Sequence, residues 1–358
     1  MIDLMRTDLK SVTDKLSSAH AGLLLNRGLL AKCTTTPTPS TTDKDLDKKH
    51  KTDVIATVCK VTPCNLYKKA FDRWVVQTAK TEQFRSLSVK LDYRLFIGLA
   101  TGGAIETGVS TQHSYGMPMI AGSAVKGVAH TYAQSIGLGA DVLAVLFGED
   151  EDTATDGRKA GAGCLIWHDA WWYPHDNTLP FIAEVVTVHH QEYYGGNGEA
   201  TDFDSPIPNQ QVAVQGSFYF VIEGETQWAA FAKQLLQQAV QQQGLGAKTA
   251  AGYGYFKDVD KITSNNINDM IKKAMEKELP EYEKLMLELT EKIAKLPKGG
   301  GIGGSLGQDL KALIAKSKQW PPESYSKLTE VAQLVYNHVG ADRKKKGPAK
   351  DLWQTLPK

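Results

Sequence analysis

The sequence predicts an α+β fold, in which a sheet packs against amphipathic helices, followed by a helical carboxyl-terminal region. Three observations support this prediction. Segments that are typical of half-buried strands, with alternating apolar residues, lie between residues 88 and 258. Apolar residues at helical spacing occur before and between these segments. Beyond about residue 260 the helical pattern continues alone and the charged residues become more frequent.

The amino-terminal quarter contains an apolar segment, a polar insertion and a helix. Residues 20–32 are apolar enough to join a core, whereas residues 33–51 are rich in Thr and Pro and then highly charged, which predicts a disordered insertion. Helical spacing returns in residues 66–84, where the residues that share one face are Leu66, Ala70, Phe71, Trp74 and Val75. A half-buried strand is predicted over residues 88–100, with its apolar positions at Val89, Leu91, Tyr93, Leu95 and Ile97.

The middle of the chain supplies the other elements of the sheet. Ser123 is expected to cap a helix that runs to Ile136. Three strand-like segments follow, GCLIWHDAWWY, FIAEVVTVHHQEYY and QVAVQGSFYFVIEG, and then an amphipathic helix that ends at Gly244. With a final strand in GYGYFKDVD, the order is β-α-β-β-(β)-α-β, which is the ferredoxin-like (RRM-like) pattern with insertions. We therefore expect one domain over residues 1–258.

Residues 259–358 are predicted to form a helical carboxyl-terminal extension. Its first helical pattern is broken at Pro280, and the glycine-rich residues 298–307 separate it from two further amphipathic segments. Four consecutive cations occupy residues 343–346 and give the extension a basic tail.

Composition narrows the class of protein. The 358 residues are 42% hydrophobic and 23% charged, and the net charge is only +1, so an RNA contact would have to be local. The amino terminus is polar and no apolar stretch is long enough to cross a bilayer, so we expect a cytoplasmic protein without membrane contact. The four cysteines lack metal-binding or disulfide spacing and are expected to be free thiols.

Two glycine-rich segments are the most informative motifs. YGMPMIAGSAVKGVAH covers residues 115–130 and GLGAKTAAGYGYF covers residues 244–256, and each places one lysine among glycines beside a predicted helix end. Glycine lets backbone N–H groups approach a ligand closely, and a helix amino terminus adds partial positive charge. The pairing suits a phosphate-bearing partner and predicts contacts with an RNA backbone.

The order of these motifs resembles the RAMP superfamily of CRISPR systems. The closer resemblance is to the family of the sixth Cmr subunit of type III-B effector complexes, which carries hxxYGxPxIPGSxxKG and later G-x-G-x-K-T-x-x-G-Y-G. The first motif is present from His113 to Gly127, with Ala121 where the family usually has proline. The resemblance covers roughly residues 18–258.

This resemblance implies a non-catalytic RNA-binding subunit of a type III-B CRISPR effector complex that acts in antiviral defence. Such a subunit caps the filament of backbone RAMP subunits near the 3′ end of the guide RNA. The partners implied are the guide (CRISPR) RNA, the target RNA, the backbone RAMP subunit and a second terminal RAMP subunit of the Cmr complex. Neither a cofactor nor a metal ion is implied.

The candidate RNA-binding residues lie in or beside the two motifs. The lysines are expected to supply positive charge to phosphates. The glycines, the serine and the threonine are expected to allow close backbone approach and to form hydrogen bonds. The aromatic and histidine rings are expected to stack on bases or make polar contacts. The candidates are His113, Tyr115, Gly122, Ser123, Lys126, Gly244, Gly246, Lys248, Thr249, Gly252 and Tyr253.

Several alternatives stay open at this point. The second segment fails the nucleotide-binding P-loop pattern because Ala247 and Gln242 stand where glycines are needed, and the partners of an S-x-x-K serine enzyme are absent. The histidines 168, 175, 189 and 190 leave room for a metal site or a histidine-dependent endoribonuclease that processes guide RNA. A pure scaffold subunit is the other alternative.

Trp171 and Trp172 are expected to point to opposite faces of a strand.

Overall fold

The structure is a computed structural model that describes residues 2–3, 19–28, 31–32, 41–79, 82–101, 108–149, 161–188, 190, 193, 195–203, 205–259 and 261–357. The chain divides into two compact units, unit 1 (Met1–Met270) and unit 2 (Ile271–Lys358). Unit 1 combines helices with a sheet and unit 2 is helical, so the predicted α+β class is confirmed. None of the helices described in these ranges is long and apolar enough to span a membrane.

The elements are numbered in chain order. The strands are β1 (Ile2–Asp3), β2 (Ala31–Lys32), β3 (Phe84–Leu91), β4 (Met119–Ile120), β5 (Gly148–Glu149), β6 (Gly161–Ala162), β7 (Ile166–Trp167), β8 (Ala170–Trp172), β9 (Phe181–Val188), β10 (Ile207–Val214), β11 (Ser217–Glu223) and β12 (Phe256–Asp258). The helices are α1 (Ala21–Arg27), α2 (Thr41–Val58), α3 (Asn65–Gln77), α4 (Gly122–Ser135), α5 (Ala140–Phe147), α6 (Thr226–Gln242), α7 (Lys261–Glu278), α8 (Glu281–Lys295), α9 (Ser305–Ser317), α10 (Ser324–Val339) and α11 (Pro348–Gln354).

An antiparallel sheet forms the centre of unit 1. Its strand order is β12-β3-β11-β8-β4, and β7 also pairs with β11. Residues 217–222 of β11 are all buried, because this strand has neighbours on both sides and helices on both faces. On one face, Phe218 and Phe220 join the core that α4 and α6 complete. On the other face, Tyr219 contacts Phe71 of α3, with ring centroids 5.9 Å apart.

Local patterns predicted most of these elements. The helices expected before and between the strands are present as α3, α4 and α6, and the strands in residues 88–91, 170–172, 217–223 and 256–258 join the sheet. The segment from residue 211 to 224 is not one strand. Gly216 has φ +102° and divides it into the end of β10 and the start of β11. β10 pairs with β9 over eight residues as a separate two-stranded ribbon.

The predicted insertion over residues 33–51 differs from the structure in its second half. Residues 33–40 lie outside the described residues, whereas residues 41–51 form the first turns of α2. The helix is anchored at its other end, where Val54, Ile55 and Val58 are buried in the core of unit 1.

Unit 2 has its own hydrophobic core, formed by α8 to α11. Leu310, Leu328, Ala332 and Val335 are fully buried there. Pro280 is the N-cap of α8, as the predicted break implies. The sequence predicts the boundary between the first domain and the carboxyl-terminal extension at residue 258, at the end of β12. The first part of α7 belongs to unit 1, where Thr263 and Ile267 are buried.

Candidate nucleic-acid interface

The second glycine segment forms a tight loop between α6 and β12. Gly244 follows the cap residue of α6, Gln243, and begins the loop with a positive φ. Backbone hydrogen bonds hold the loop against the residues that follow β3: the N–H of Ala247 donates to Phe96 O at 2.8 Å, and the N–H of Gly254 donates to Arg94 O at 2.7 Å. The left-handed φ values are +73° at Gly244, +94° at Gly246, +89° at Gly252 and +77° at Gly254.

Close packing explains two of these glycines. A Cβ at Gly246 would lie 2.4 Å from the carbonyl oxygen of Phe96, and a Cβ at Gly254 would lie 1.9 Å from that of Leu245. Gly252 is different, because a Cβ there would meet no atom within 4 Å. Gly252 therefore meets only a conformational requirement, whereas Gly246 and Gly254 also let two backbone segments approach each other.

Lys248 stands at the tip of this loop in an unusual conformation. Its φ and ψ are 62° and 33°, and it is the only non-glycine residue with positive φ in the described part of the chain. This left-handed conformation costs an L-residue about 1 kcal/mol. Thr249 opens the short 3-10 turn that follows, and its carbonyl accepts from Gly252 N at 2.9 Å. Lys248 is exposed, so its ammonium group is available to a ligand.

Aromatic rings surround the loop. The ring centroid of Tyr253 lies 4.7 Å from that of Phe96 and 5.9 Å from that of Tyr93. The guanidinium of Arg94 lies 4.8 Å from the Tyr93 ring and forms an ion pair with Glu184 of β9. Partial burial, and then the Glu184 carboxylate, raise the pKa of Tyr253, so its phenol stays protonated and can donate a hydrogen bond.

The first glycine segment is built into the fold more deeply. The carbonyl of His113 accepts a hydrogen bond from His20 Nε2 at 2.9 Å, while the His113 side chain is exposed. Tyr115 is half-buried, and its ring centroid lies 5.6 Å from that of Tyr67 and 6.2 Å from that of Trp171. Tyr115 therefore contributes to an internal aromatic cluster, with part of its surface still open.

The predicted cap at Ser123 is wrong. Helix α4 begins at Gly122, its N-cap is Ala121, and Ser123 lies exposed in the first turn. The carboxylate of Asp169 satisfies the helix terminus instead, because its Oδ1 accepts from Gly122 N at 2.7 Å. A Cβ at Gly122 would lie 2.1 Å from the carbonyl oxygen of Trp167, so the glycine lets α4 approach the loop between β7 and β8.

Lys126 lies one turn further along α4 and is half-buried. It lines a cleft of about 440 Å³ between α4, α5 and the β5-β6 hairpin. His130 and Gln134 follow at intervals of four residues and line the same cleft. The ring of His130 packs 4.9 Å from that of Phe147, between centroids.

The two glycine segments lie towards different ends of α4. Tyr132 OH donates to Gln238 and Gln242 near the end of α6, at 3.1 Å in each case, and Gln243 donates to Ser135. The carboxyl ends of α4 and α6 are thus neighbours, and the Lys248 loop follows that end of α6. Lys126 is nine residues, or about 14 Å of helix, before Ser135. Lys126 therefore lies in the first half of α4, whereas the Lys248 loop lies near the carboxyl end of α4.

Two of the four candidate histidines are each paired with a carboxylate. His168 Nε2 lies 2.8 Å from Glu223, and His175 Nε2 lies 2.6 Å from Asp72. His189 lies outside the described residues. Within the described ranges, no group of three or more histidine, cysteine, aspartate or glutamate side chains could hold a metal ion. The prediction for the adjacent tryptophans is confirmed: Trp172 is fully buried, whereas Trp171 is half-buried on the other face and stacks on Tyr67 at 5.9 Å.

Sequence reasoning did not place Tyr93 and Arg94 beside the Lys248 loop. Their alternating pattern assigned them to a strand, but β3 ends at Leu91. The one available signal was Asp92, a residue that is rare inside strands. Asp169 was also missed, because its partner Gly122 is distant in sequence.

Comparisons with known proteins agree with this architecture. Residues 88–257 match the family model of the RAMP superfamily, a span that runs from β3 to β12 and includes both glycine segments. The matched span lies within the α+β unit 1, and the helical unit 2 lies outside it. No curated protein matches the chain.

Among solved structures, the chain is similar to a chain from the cryo-EM structure of the type III-B Cmr-beta bound to cognate target RNA. The identity is 17%, the match covers 70% of this chain and 95% of that chain, and the TM-score of 0.52 reflects a shared fold. The crystal structure of Cmr6 from Pyrococcus furiosus matches at 21% identity, over 49% of this chain and 99% of that one, with a TM-score of 0.30. A chain of a CRISPR RNA-guided surveillance complex matches at 14% identity, over 66% of this chain and 85% of that chain, with a TM-score of 0.32. The last two scores are too low to support an argument.

Proposed function

We propose that this protein is a non-catalytic RNA-binding subunit of a type III-B CRISPR effector complex. The observation that carries the proposal is the exposed, left-handed Lys248 in a loop shaped by four glycines with positive φ, inside the span that matches the RAMP family. Strained backbone of this kind persists where the surrounding structure enforces it, and it concentrates at ligand sites.

The finer fold assignment is a ferredoxin-like RAMP domain. Its support is the strand order. If β3, β8, β11 and β12 are the first to fourth strands of β-α-β-β-α-β, they lie in the order fourth, first, third, second, with antiparallel neighbours. In RNA-binding domains of this pattern the open sheet face stacks bases. Here α3 covers part of that face, because Phe71 packs on Tyr219 and Thr78 Oγ1 lies 2.9 Å from Tyr219 OH. We therefore place the RNA contacts at the loops rather than on the sheet face.

The proposed position in the complex is at the end of the backbone RAMP filament, near the 3′ end of the guide RNA. The partners would be the guide RNA, the target RNA, the backbone RAMP subunit and a second terminal RAMP subunit. Charge distribution supports a local grip on RNA. Unit 2 carries 17 lysines and arginines against 11 aspartates and glutamates, a net charge of +6, so with +1 for the whole chain unit 1 carries −5. An acidic domain must hold RNA through a few positioned cations.

The absence of catalysis is part of the proposal. His168 and His175 are each paired with a carboxylate and packed against aromatic rings, which is a structural environment for a histidine. A general base of RNA cleavage must instead reach the 2′-hydroxyl of a bound substrate.

Filter binding of single-stranded RNA to the purified full chain, titrated across salt, tests this function. We expect weak, sequence-tolerant affinity with a log-log salt slope on the order of −2 to −3. Lys248→Ala should weaken binding by about 5- to 150-fold, because a charge-assisted phosphate contact is worth about 1–3 kcal/mol. The matched control is Lys257→Ala, which removes the same charge from an ammonium already paired with Asp92 at 2.6 Å. No RNA affinity at low salt, or an equal loss in both variants, would contradict the proposal.

A further inference from the structure

We propose that Tyr93, held by Arg94 and accompanied by Tyr253, forms a stacking subsite for one base of single-stranded RNA beside Lys248. This inference rests on the proposed function and adds a chemical role for residues outside both glycine motifs. The ligand class is one nucleotide of an RNA strand, with its base on the tyrosine ring and its phosphate near the lysine.

Tyr93 is exposed for a structural reason. Its apolar neighbours in the alternating pattern, Leu91 and Leu95, are buried, whereas Tyr93 is 55% exposed. The chain leaves β3 after Leu91, and Asp92 N donates to Tyr255 O at 2.9 Å. The chain returns to the core at Leu95, whose N–H donates to Val214 O at 2.9 Å. Tyr93 therefore stands on a short protruding turn fixed at both ends.

A chain of two contacts restrains the ring of Tyr93. The guanidinium of Arg94 lies 4.8 Å from its centroid, within the range of a cation–π contact. Glu184 of β9 holds Arg94 through an ion pair in which both side chains are largely buried. A stacking residue that is already fixed loses little rotamer entropy on binding, which favours the bound state.

Lys248 and Tyr253 belong to one turn, and the Tyr93 ring lies beside it. Tyr253 N donates to Lys248 O at 3.4 Å, which closes the turn, and the Tyr253 ring lies 5.9 Å from Tyr93 at an interplanar angle of 49°. The two rings are thus inclined to each other, and Lys248 is exposed in the turn that carries Tyr253. A cation next to stacking faces is the combination that binds single strands without sequence preference, because every base has a π-face.

The experiment uses the full chain and a short single-stranded RNA that contains 2-aminopurine, whose fluorescence falls when the base stacks. Tyr93→Leu should weaken binding by about 5- to 100-fold and remove the quenching, whereas Tyr93→Phe, which keeps the ring, should preserve both. Tyr193→Leu is the matched control, because Tyr193 is 56% exposed but lies outside the loop, and it should change neither signal. Thermal melting should be unchanged in all three variants because the side chains are exposed.

The outcomes separate this inference from the proposed function. Unchanged affinity and quenching in Tyr93→Leu, together with a loss in Lys248→Ala, would overturn the stacking subsite and leave RNA binding intact. If the wild-type protein binds no RNA at low salt, the proposed function fails and the subsite fails with it. Equal losses in Tyr93→Leu and Tyr193→Leu would also overturn the subsite, because the effect would then be general to exposed rings.

Discussion

The two glycine-rich segments have similar compositions but use their residues in different ways. In the first segment, Gly122 lets helix α4 pack against the carbonyl of Trp167, and Lys126 lies half-buried in a cleft. In the second segment, four glycines take positive φ and hold Lys248 exposed in the same left-handed region. The first segment is chiefly an element of packing, and the second has the geometry of a ligand loop.

A glycine-lysine motif in the sequence therefore does not show whether its residues serve packing or ligand binding. Both segments place a lysine close to glycines and a helix end. What separates them is the conformation and exposure of the lysine: Lys248 is left-handed and exposed, whereas Lys126 is helical and half-buried. Variants at paired positions in the two segments test this difference.

The largest effect is expected in the second segment at Gly254. A Cβ there would lie 1.9 Å from Leu245 O at a φ of +77°, so Gly254→Ala should reduce the free energy of unfolding by about 3–5 kcal/mol. Gly252→Ala is the matched control, because its φ of +89° is also left-handed but the space around it is open. The Gly252→Ala variant should lose only about 1 kcal/mol of the free energy of unfolding. Chemical denaturation measures both, and equal losses would show that backbone contact does not decide the role of Gly254.

A large effect is also expected in the first segment at Gly122. Gly122→Ala should reduce the free energy of unfolding by about 2–4 kcal/mol, because its Cβ would lie 2.1 Å from Trp167 O. Gly127 lies on the exposed face of the same helix and has no atom within 4 Å of an added Cβ. Gly127→Ala should therefore stabilise the protein by about 0.5–1 kcal/mol through helix propensity. A destabilised Gly127→Ala protein would contradict the open environment of that position.

Lys248→Gly should separate stability from binding in the second segment. Glycine takes a φ of 62° without strain, so this variant should be up to about 1 kcal/mol more stable than the wild type. It should also bind RNA about 5- to 150-fold more weakly and give less RNA occupancy when the effector complex is reconstituted with guide RNA. Lys126→Ala should have the smaller effect on RNA affinity, because Lys126 is half-buried. Reversal of that order would transfer the ligand site to the first segment.

The smallest effects concern the start of α4. Asp169→Ala removes the acceptor of Gly122 N and should cost about 1 kcal/mol of stability, which thermal melting can measure. Ser123→Ala should change stability by less than about 0.5 kcal/mol, because Ser123 is exposed and makes no capping hydrogen bond. The opposite ranking would restore Ser123 as the cap.

Local sequence patterns were enough to predict the α+β class and most of the elements. Period-two patterns located the strands of the sheet, and period-3.6 patterns located α3, α4 and α6, because both depend on neighbours along the chain. The glycines and lysines of the two segments were visible in the same way, as was the opposite orientation of Trp171 and Trp172.

Tertiary structure alone decided how those residues are used. The helical residues of α2 depend on the burial of Val54 and Ile55, which overrides a composition typical of disorder. Asp169 replaces Ser123 at α4, and Tyr93 leaves the strand pattern because the chain turns after β3. The last two outcomes depend on partners that are distant in sequence, because Asp169 accepts from Gly122 N and Tyr255 O accepts from Asp92 N. Local periodicity carries no information about such contacts, since they form only when the sheet and helices have packed.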